Sequence, residues 1–331
     1  MENILPFVSA IIPCRNEEKH IGKCLDSLIS QDYPKERLEI IVADGMSEDK
    51  TKSVVNEYGK NHSFIRIIAN QKKIIPCALN LGIRNAKGEL IVRMDAHATY
   101  EFSYISKCVE YLLKYKADNV GGTLKTVPAD GGIAAKAIAA AISSSFGAGS
   151  AYFRTGAQQI REVDTVFGGC YRKEIFDKIG FFNENLARSE DMEFNLRLKK
   201  AGGKILLVPE IIAYYYPKTS LNDFFRHNFN DGVWAIYPLK FGKISFGLRH
   251  YLPFAFVLTV FSLALLGFFN RFFWLFFFAV IAVYLLASFY FSFQKAVSER
   301  EWKLGLLLPW VFFLRHFGYG LGSLWGLKRL L

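Results

Sequence analysis

The chain has 331 residues, enough for one large domain or two smaller ones, and 51% of them are hydrophobic, with 31 phenylalanines. Its 41 Lys and Arg against 30 Asp and Glu leave a formal charge of +11, which suits a nucleic acid, an anionic membrane surface or a phosphorylated substrate. No Arg-rich block or RNP-like pattern points to nucleic acid, and long apolar runs after about Lys243 make the membrane and phosphate readings the economical ones. Cys14, Cys24, Cys77, Cys108 and Cys170 show no C-x-x-C spacing and read as reduced, packed thiols. No basic stretch followed by an apolar core and a small-residue cleavage site opens the sequence, so export of the first domain is not expected.

In chain order, Phe7 to Pro13 is a β-rich run stopped by proline, and Arg15-Asn16-Glu17-Glu18 follows as a polar loop. Ile21, Leu25, Leu28 and Ile29 predict a helix over His20 to Ser30. Leu38 to Ala43 is a second strand delivering Asp44-Gly45, and Met46-Ser47-Glu48-Asp49 is an N-capping cluster for a helix from Lys50 to about Gly59. A third strand is expected over Phe64 to Ala69, a helix over Pro76 to Ala86, and a fourth strand over Glu89 to Met94. This alternation argues for βαβ units on a mostly parallel sheet, whose ligands bind at the carboxyl ends of the strands. Glu17, Asp44 and Asp95 all fall there.

The fourth strand ends in Asp95-Ala96-His97. In an extended backbone, side chains two apart leave the same face, so a carboxylate and an imidazole would project together. That pair suits Mg²⁺ or, better, Mn²⁺, with the other positions left to water or phosphate oxygens. Alone, such a D-x-H is more often a capped turn with a loop histidine; the acids elsewhere in the chain shift the weight to a metal site.

Ile11-Ile12-Pro13-Cys14-Arg15-Asn16-Glu17, Val42 to Asp49, Ala78-Leu79-Asn80-Leu81-Gly82-Ile83 and Arg93-Met94-Asp95-Ala96-His97 together resemble a family 2 glycosyltransferase of GT-A fold, in the membrane-associated subgroup of exopolysaccharide assembly of the succinoglycan glucosyltransferase type. The resemblance covers most of the chain to about residue 240 and implies a nucleotide-diphosphate sugar donor. It implies that Glu17 and Asp44 contact base and ribose, that Pro13 and Arg15 lie at the substrate, and that Asp95 and His97 stand in the place of the family's D-x-D metal motif. A metal bridging the two phosphates would neutralise the leaving charge. Lys73 and Arg93, with Lys72 and Arg84, are candidate additions to the phosphate pocket, although singly such cations are mostly solvated surface charges.

Further on, a helix is expected over Ile105 to Lys116 and a strand over Asn119 to Leu124. The alanine- and serine-rich stretch from Ile133 to Ser145 reads as a small-residue helix packed on the sheet, in preference to an acceptor-side lid hinged at glycine. Gly168 and Gly169 let the main chain approach an acceptor sugar or form a plain β-bulge; the resemblance favours the first.

Glycosyl transfer also needs a carboxylate to take the proton of the attacking hydroxyl. Glu190 and Asp191 sit in the first turn of a helix that Ser189 would cap, a place where the macrodipole favours acids without any catalysis. They resemble the family's E-D motif, whose aspartate is the base in inverting members. Asp191 is therefore the expected base, with Glu190 beside it. Attack from the side opposite the leaving diphosphate inverts the configuration, and no sugar is held covalently.

Gly202 to Pro209 returns as a strand, and Leu221 to Trp234 carries Arg226 where processive members of the family have Q-x-x-R-W. The likeness there is loose, so the resemblance implies addition of a single sugar, with Arg226 kept as a substrate-binding candidate. Roughly 19 uncharged residues from Tyr251 to Phe269 and 22 from Phe272 to Phe293 can each cross a hydrocarbon core of about 30 Å, with Asn270-Arg271 as a tight turn between them. Lys240, Lys243 and Arg249 before this hairpin, and Lys295, Arg300 and Lys303 after it, place both flanks in the cytoplasm. The third apolar segment, about 304–327, holds Arg315 and His316 near its middle, which predicts a re-entrant or interfacial segment. Arg315 there either meets a lipid-linked phosphate, or snorkels or pairs with a carboxylate.

The expected architecture is thus an α/β GT-A domain over 1–243 and a membrane region over 244–331. The expected protein is a multi-pass membrane glycosyltransferase with a cytoplasmic catalytic domain. It would move one sugar from a nucleotide-diphosphate donor, a UDP-sugar by expectation, to a polyprenyl- or lipid-linked saccharide in exopolysaccharide or envelope glycan assembly. A polyprenyl-phosphate sugar or glycolipid synthase is the alternative within the class. A membrane-tethered nucleotidyltransferase or sugar-nucleotide sensor lies outside it; Cys14-Arg15-Asn16-Glu17 has no glycine of an activating loop, and a sensor would not need Asp191.

Overall fold

Apolar runs ending in polar loops become the strands that position the site. A computed structural model describes residues 5–217, 219–241 and 246–330, so Lys243 lies outside the described residues. The elements run β1 (Val8–Cys14), α1 (Ile21–Ile29), β2 (Leu38–Asp44), α2 (Thr51–Asn61), β3 (Ile65–Ala69), α3 (Ile75–Asn85), β4 (Leu90–Arg93), β5 (Ala98–Tyr100), α4 (Tyr104–Lys114) and β6 (Asn119–Thr126). There follow α5 (Ile133–Ile142), α6 (Ser145–Ala148), α7 (Tyr152–Thr155), β7 (Arg161–Glu162), β8 (Phe167–Arg172), α8 (Glu174–Ile179), α9 (Glu190–Lys200) and β9 (Ile205–Tyr215). The chain closes with α10 (Leu221–Ile236), α11 (Leu252–Phe269), α12 (Phe272–Ser298) and α13 (Trp302–Lys328).

By contact the chain forms two compact units, Met1–Lys125 with Gly156–Tyr215, and Thr126–Thr155 with Tyr216–Leu331. In the first, one sheet has the order β3-β2-β1-β4-β8-β6-β9-β5, with β7 paired to β9. β1 lies parallel to β2 and β4, setting Cys14 opposite Asp44 and Ile11 opposite Arg93. β1 and β2 are buried almost throughout, as central parallel strands covered on both faces must be. α3 packs on β1 at Gly82, where an added Cβ would collide with Ile11. Beyond β4 the character changes: β8 pairs antiparallel with β4, and so do β6 with β8 and β5 and β7 with β9. The parallel half is the one that carries the expected polar loops. The five cysteines are free and buried.

The second unit gathers α5 to α7 with the C-terminal helices. The expectation put the alanine-rich helix on the sheet; its contacts are instead with α13, because small side chains let two helix backbones approach closely. α11, α12 and α13 are each long and apolar enough to cross a membrane. At the α11–α12 turn the Asn270 side chain accepts the Phe272 N–H at 3.0 Å. α13 is an unbroken helix and does not turn back on itself as a re-entrant segment would. Its Arg315 donates to the Gly147 carbonyl at 2.5 Å and to Asn228 Oδ1 at 2.8 Å. His316 Nε2 donates to the Phe146 carbonyl at 3.0 Å, which leaves Nδ1 to accept from the Tyr284 hydroxyl at 3.1 Å. These bonds satisfy main-chain carbonyls that an apolar setting would otherwise orphan.

α10 lies along α13 through a close glycine contact. A Cβ on Gly322 would run into the Phe229 carbonyl, and one on Gly232 into the Tyr319 carbonyl. We expect Gly322→Ala to destabilise the protein by about 1–3 kcal/mol, read as a lowered Tm in detergent. Gly131→Ala, where an added Cβ meets nothing within 4 Å, should leave Tm unchanged. Equal Tm values for the two variants would contradict the close contact.

Candidate active site

The loops after β1 and β2 hold one another at the carboxyl end of the sheet. Asn16 N–H donates to Ser47 Oγ at 2.9 Å, and Glu48 N–H donates back to Asn16 Oδ1 at 2.9 Å. Glu17 N–H donates to Thr51 Oγ1 at 2.8 Å, while Glu18 accepts from Lys50 N–H and Asp49 accepts from Glu18 N–H. Asp44 is buried at the end of β2; its carboxylate accepts the Ser47 N–H and lies 3.6 Å from Lys52 Nζ. Pro13 is half-buried at the end of β1, and Arg15 is exposed, 3.8 Å from Glu48. Asp49 Oδ1 accepts the Thr51 N–H at the start of α2, but the N-cap position is Lys50, whose side chain makes no capping bond.

The stretch after β4 departs from the extended geometry expected of it. The strand ends at Arg93, and Ala98 N–H donates to the Asp95 carbonyl at 3.2 Å, closing a turn. Asp95 N–H donates to the Tyr100 hydroxyl at 2.6 Å. Within a turn the two-residue periodicity no longer holds, so the side chains find different partners: Asp95 lies 3.6 Å from Arg93, and His97 Nδ1 lies 3.5 Å from Glu17 and packs edge-on to Tyr215. Among the described residues no group of three or more His, Cys, Asp or Glu side chains forms a metal cage. The half-buried Asp95 carboxylate is a hard oxygen donor that leaves the other positions of a divalent ion to a diphosphate and water, a donor set that fits Mg²⁺ or Mn²⁺.

Arg93 is the centre of the arrangement. Its guanidinium lies 3.0 Å from Glu190, 3.6 Å from Asp95 and 3.9 Å from Asp191. The Arg93 main chain is fixed by β1, through Met94 N–H to the Ile11 carbonyl at 2.9 Å. On the other side is β8, where a Cβ on Gly168 would sit 2.8 Å from the Arg93 carbonyl oxygen. Gly168 and Gly169 are buried with φ of 65° and 105°, and the β6–β8 register slips beside them. Their smallness therefore closes β8 onto its neighbours. A larger residue would need both a left-handed backbone and space that is not there.

α9 brings Glu190 and Asp191 to Arg93. Ser189 adopts φ 63° and its side chain makes no capping bond; Glu193 N–H bonds the Ser189 carbonyl instead. This corrects the expected side-chain cap, since the chain must turn sharply at Ser189. Deeper in α9, Asn195 bonds Asn119 and Thr165, and Phe194 packs among Tyr171, Phe176 and Phe182. Arg197 grips Glu193 and the carbonyl of Phe181. Glu190 has a side chain only 3% exposed, against 33% for Asp191. Asp191 alone of the two is reachable by a substrate.

The remaining candidates scatter. Lys73 is exposed on the loop after β3, Lys72 pairs with Glu184 at 2.6 Å, and Arg84 stacks on Phe181. Arg226 is exposed on α10 in the second unit. Tyr100, which steadies the Asp95 turn, stood in no motif; Asn80, quoted only as part of the Ala78–Ile83 motif, bonds both the N–H and the carbonyl of Phe182.

A half-parallel sheet with acids gathered at its carboxyl ends, and a second acid pair delivered by a later helix, is the architecture of a GT-A type transferase domain. The profile of Glycosyl transferase family 2 matches residues 9–180, and the chain belongs to that family. It is 31% identical over 318 residues, 94% of each chain, to the Methanococcus voltae protein named dolichyl N-acetyl-alpha-D-glucosaminyl phosphate 3-beta-D-2,3-diacetamido-2,3-dideoxy-beta-D-glucuronosyltransferase. It is 29% identical over 256 residues, 72% of this chain and 76% of the relative, to succinoglycan biosynthesis protein ExoA of Rhizobium meliloti. Among solved structures, mannosyltransferase PcManGT from Pyrobaculum calidifontis in complex with GDP-Man and Mn²⁺ matches with a TM-score of 0.61 and 20% identity, covering 98% of this chain and 88% of that one.

Three carboxylates around one guanidinium leave excess negative charge, and the most buried of them takes up the strain. Burial, with Asp191 adding and Arg93 opposing, pushes Glu190 up to about 7. Its proton is thus held more tightly in the folded protein than in the unfolded chain. That contribution to stability is fully present below the ordinary value of 4.5 and is lost as the pH rises through about 7. Between those limits the Tm of the wild type should fall with pH relative to that of Glu190→Gln, measured by thermal unfolding. Parallel profiles would contradict the assignment.

Proposed function

We propose that the protein is a membrane-anchored inverting transferase that moves one sugar from a nucleotide-diphosphate sugar to a lipid-linked acceptor. The observation that carries this reading is that Asp95, on the donor side, and Asp191, on the helix that follows, converge on one guanidinium. In that arrangement Asp191 is the base. Its carboxylate accepts the proton of the acceptor hydroxyl as the oxygen attacks the anomeric carbon from the side opposite the diphosphate. The configuration inverts in one displacement, and the enzyme needs no nucleophile of its own. The buried cysteines fit this economy: burial raises the Cys14 and Cys24 thiols well above their ordinary range.

Glu17, Asp44 and the interlocked loops around them form the nucleoside end of the donor site. Asp95 would hold a Mg²⁺ or Mn²⁺ ion, whose charge neutralises the diphosphate as it leaves. A UDP-sugar is our reading of the donor; GDP-Man in the Pyrobaculum structure makes GDP-sugars the second set to try. The name of the Methanococcus relative, which includes a dolichyl-phosphate-linked sugar, supports a lipid-linked acceptor, and the name of the Rhizobium relative supports glycan assembly. Lys240 and Arg249 before the α11–α12 hairpin and Lys295, Arg300 and Lys303 after it favour cytoplasmic flanks, the side on which nucleotide sugars are available.

The test is incubation of the purified protein and Mn²⁺ with a panel of nucleotide sugars and membrane lipid extract, followed by identification of the glycolipid. Asp191→Asn should bind nucleotide as the wild type does and lose transfer by roughly 10²–10⁴-fold. Unimpaired turnover of the variant would remove Asp191 from the base role.

A further inference from the structure

Arg93 fits the phosphate pocket poorly. Its side chain is 11% exposed and its charge already faces three carboxylates, so an incoming diphosphate would meet a cation that is more than neutralised. Only the Glu190 contact, at 3.0 Å, is close enough for a charged hydrogen bond. Nε and Nη1 are buried without a hydrogen-bond partner, although Asp95 stands 3.6 Å from one and Asp191 3.9 Å from the other. The guanidinium is therefore anchored at one corner by Glu190, while its two remaining edges attract the donor-side acid and the base without closing on either.

Resting on the transferase reading above, we propose that Arg93 is a positioning residue: held by Glu190, it sets the spacing between Asp95 and Asp191, and it does not bind the phosphates of the donor. The planar fork of arginine suits this task, because its edges diverge in fixed directions. The residues facing it divide the work. Glu190 on α9 fixes the fork, Tyr171 on β8 borders it in the interior, and the carboxylates of Asp95 and Asp191 are part-exposed. Losing Arg93 would free Asp95 to serve a metal and a diphosphate while letting Asp191 drift from its station.

Three variants test this: Arg93→Lys, Arg93→Met, and the double variant Arg93→Met/Glu190→Leu, in which apolar residues replace the whole buried pair so that the fold survives. Folding is verified by thermal unfolding. Binding of Mn²⁺ with UDP and of Mn²⁺ with GDP is measured by calorimetry, and kcat and donor KM are measured in the transfer assay. Nucleotide affinity and donor KM should stay within about 3-fold of the wild type, or tighten, while kcat falls roughly 100-fold in the methionine variants and recovers in part in Arg93→Lys. Nucleotide binding weakened by about 10-fold or more with kcat preserved would overturn the proposal and return Arg93 to the phosphates. If the wild type binds nucleotide but transfers nothing with any lipid fraction, the transferase reading fails, and the binding arm still decides whether Arg93 serves the phosphates.

Discussion

A buried guanidinium surrounded by three carboxylates constrains everything around it. Taking such charges out of water is costly, and the arrangement persists only where several elements hold it at once. Here β4 supplies Arg93 from the middle of the sheet, and β8 can lie against it because position 168 is glycine. α9 presents two acids at its N-terminus, where the helix dipole favours negative charge. The rest of α9 is pinned by Phe194 in an aromatic cluster, by Asn195 to β6 and by Arg197 to the turn before it. That rigidity would matter for the proposed base, since a base misplaced by about an ångström loses much of its effect.

The proposed donor end is held by a different device. The loops after β1 and β2 are too polar to pack as a core, so they bond each other through Asn16, Glu18, Ser47, Asp49 and Thr51. Asp44 is thereby kept at the carboxyl edge of the sheet, and Glu17 is brought against His97 from the next crossover. Asn80 on α3 ties the segment before α9 to the same half of the sheet, with Glu184 accepting from both Asn80 and Lys72. In the second unit, the polar side chains within α13 serve main-chain carbonyls of α6 and a side chain of α10.

Much of this was legible in the residue order, and the limits have physical causes. Apolar runs stopped by proline or by an acid located β1, β2 and β4 to within a residue or two, because burial on both faces requires mostly apolar side chains. The acids at their ends could be read because strand ends are where ligands bind in such sheets. What could not be read depends on contacts remote in sequence or on backbone bends. Nothing near Arg93 announces Glu190, which reaches it only after the sheet has folded. Asp95 and His97 part company because the strand stops before them. Ser189 turns the chain in a left-handed conformation where a side-chain cap was expected, and the alanines of α5 fit a helix contact as well as a sheet contact.

In the proposed arrangement one arginine sets donor anchor and base to a common centre. Its most direct test is the anomalous signal of Mn²⁺ in an experimental structure of the protein with a nucleoside diphosphate. The expected result is a peak at about 2.1–2.2 Å from an Asp95 carboxylate oxygen, with Arg93 still on Glu190 and Asp191 left free of the ion. A peak held by His97 and Glu17 without Asp95, or an Arg93 swung onto the diphosphate, would contradict it.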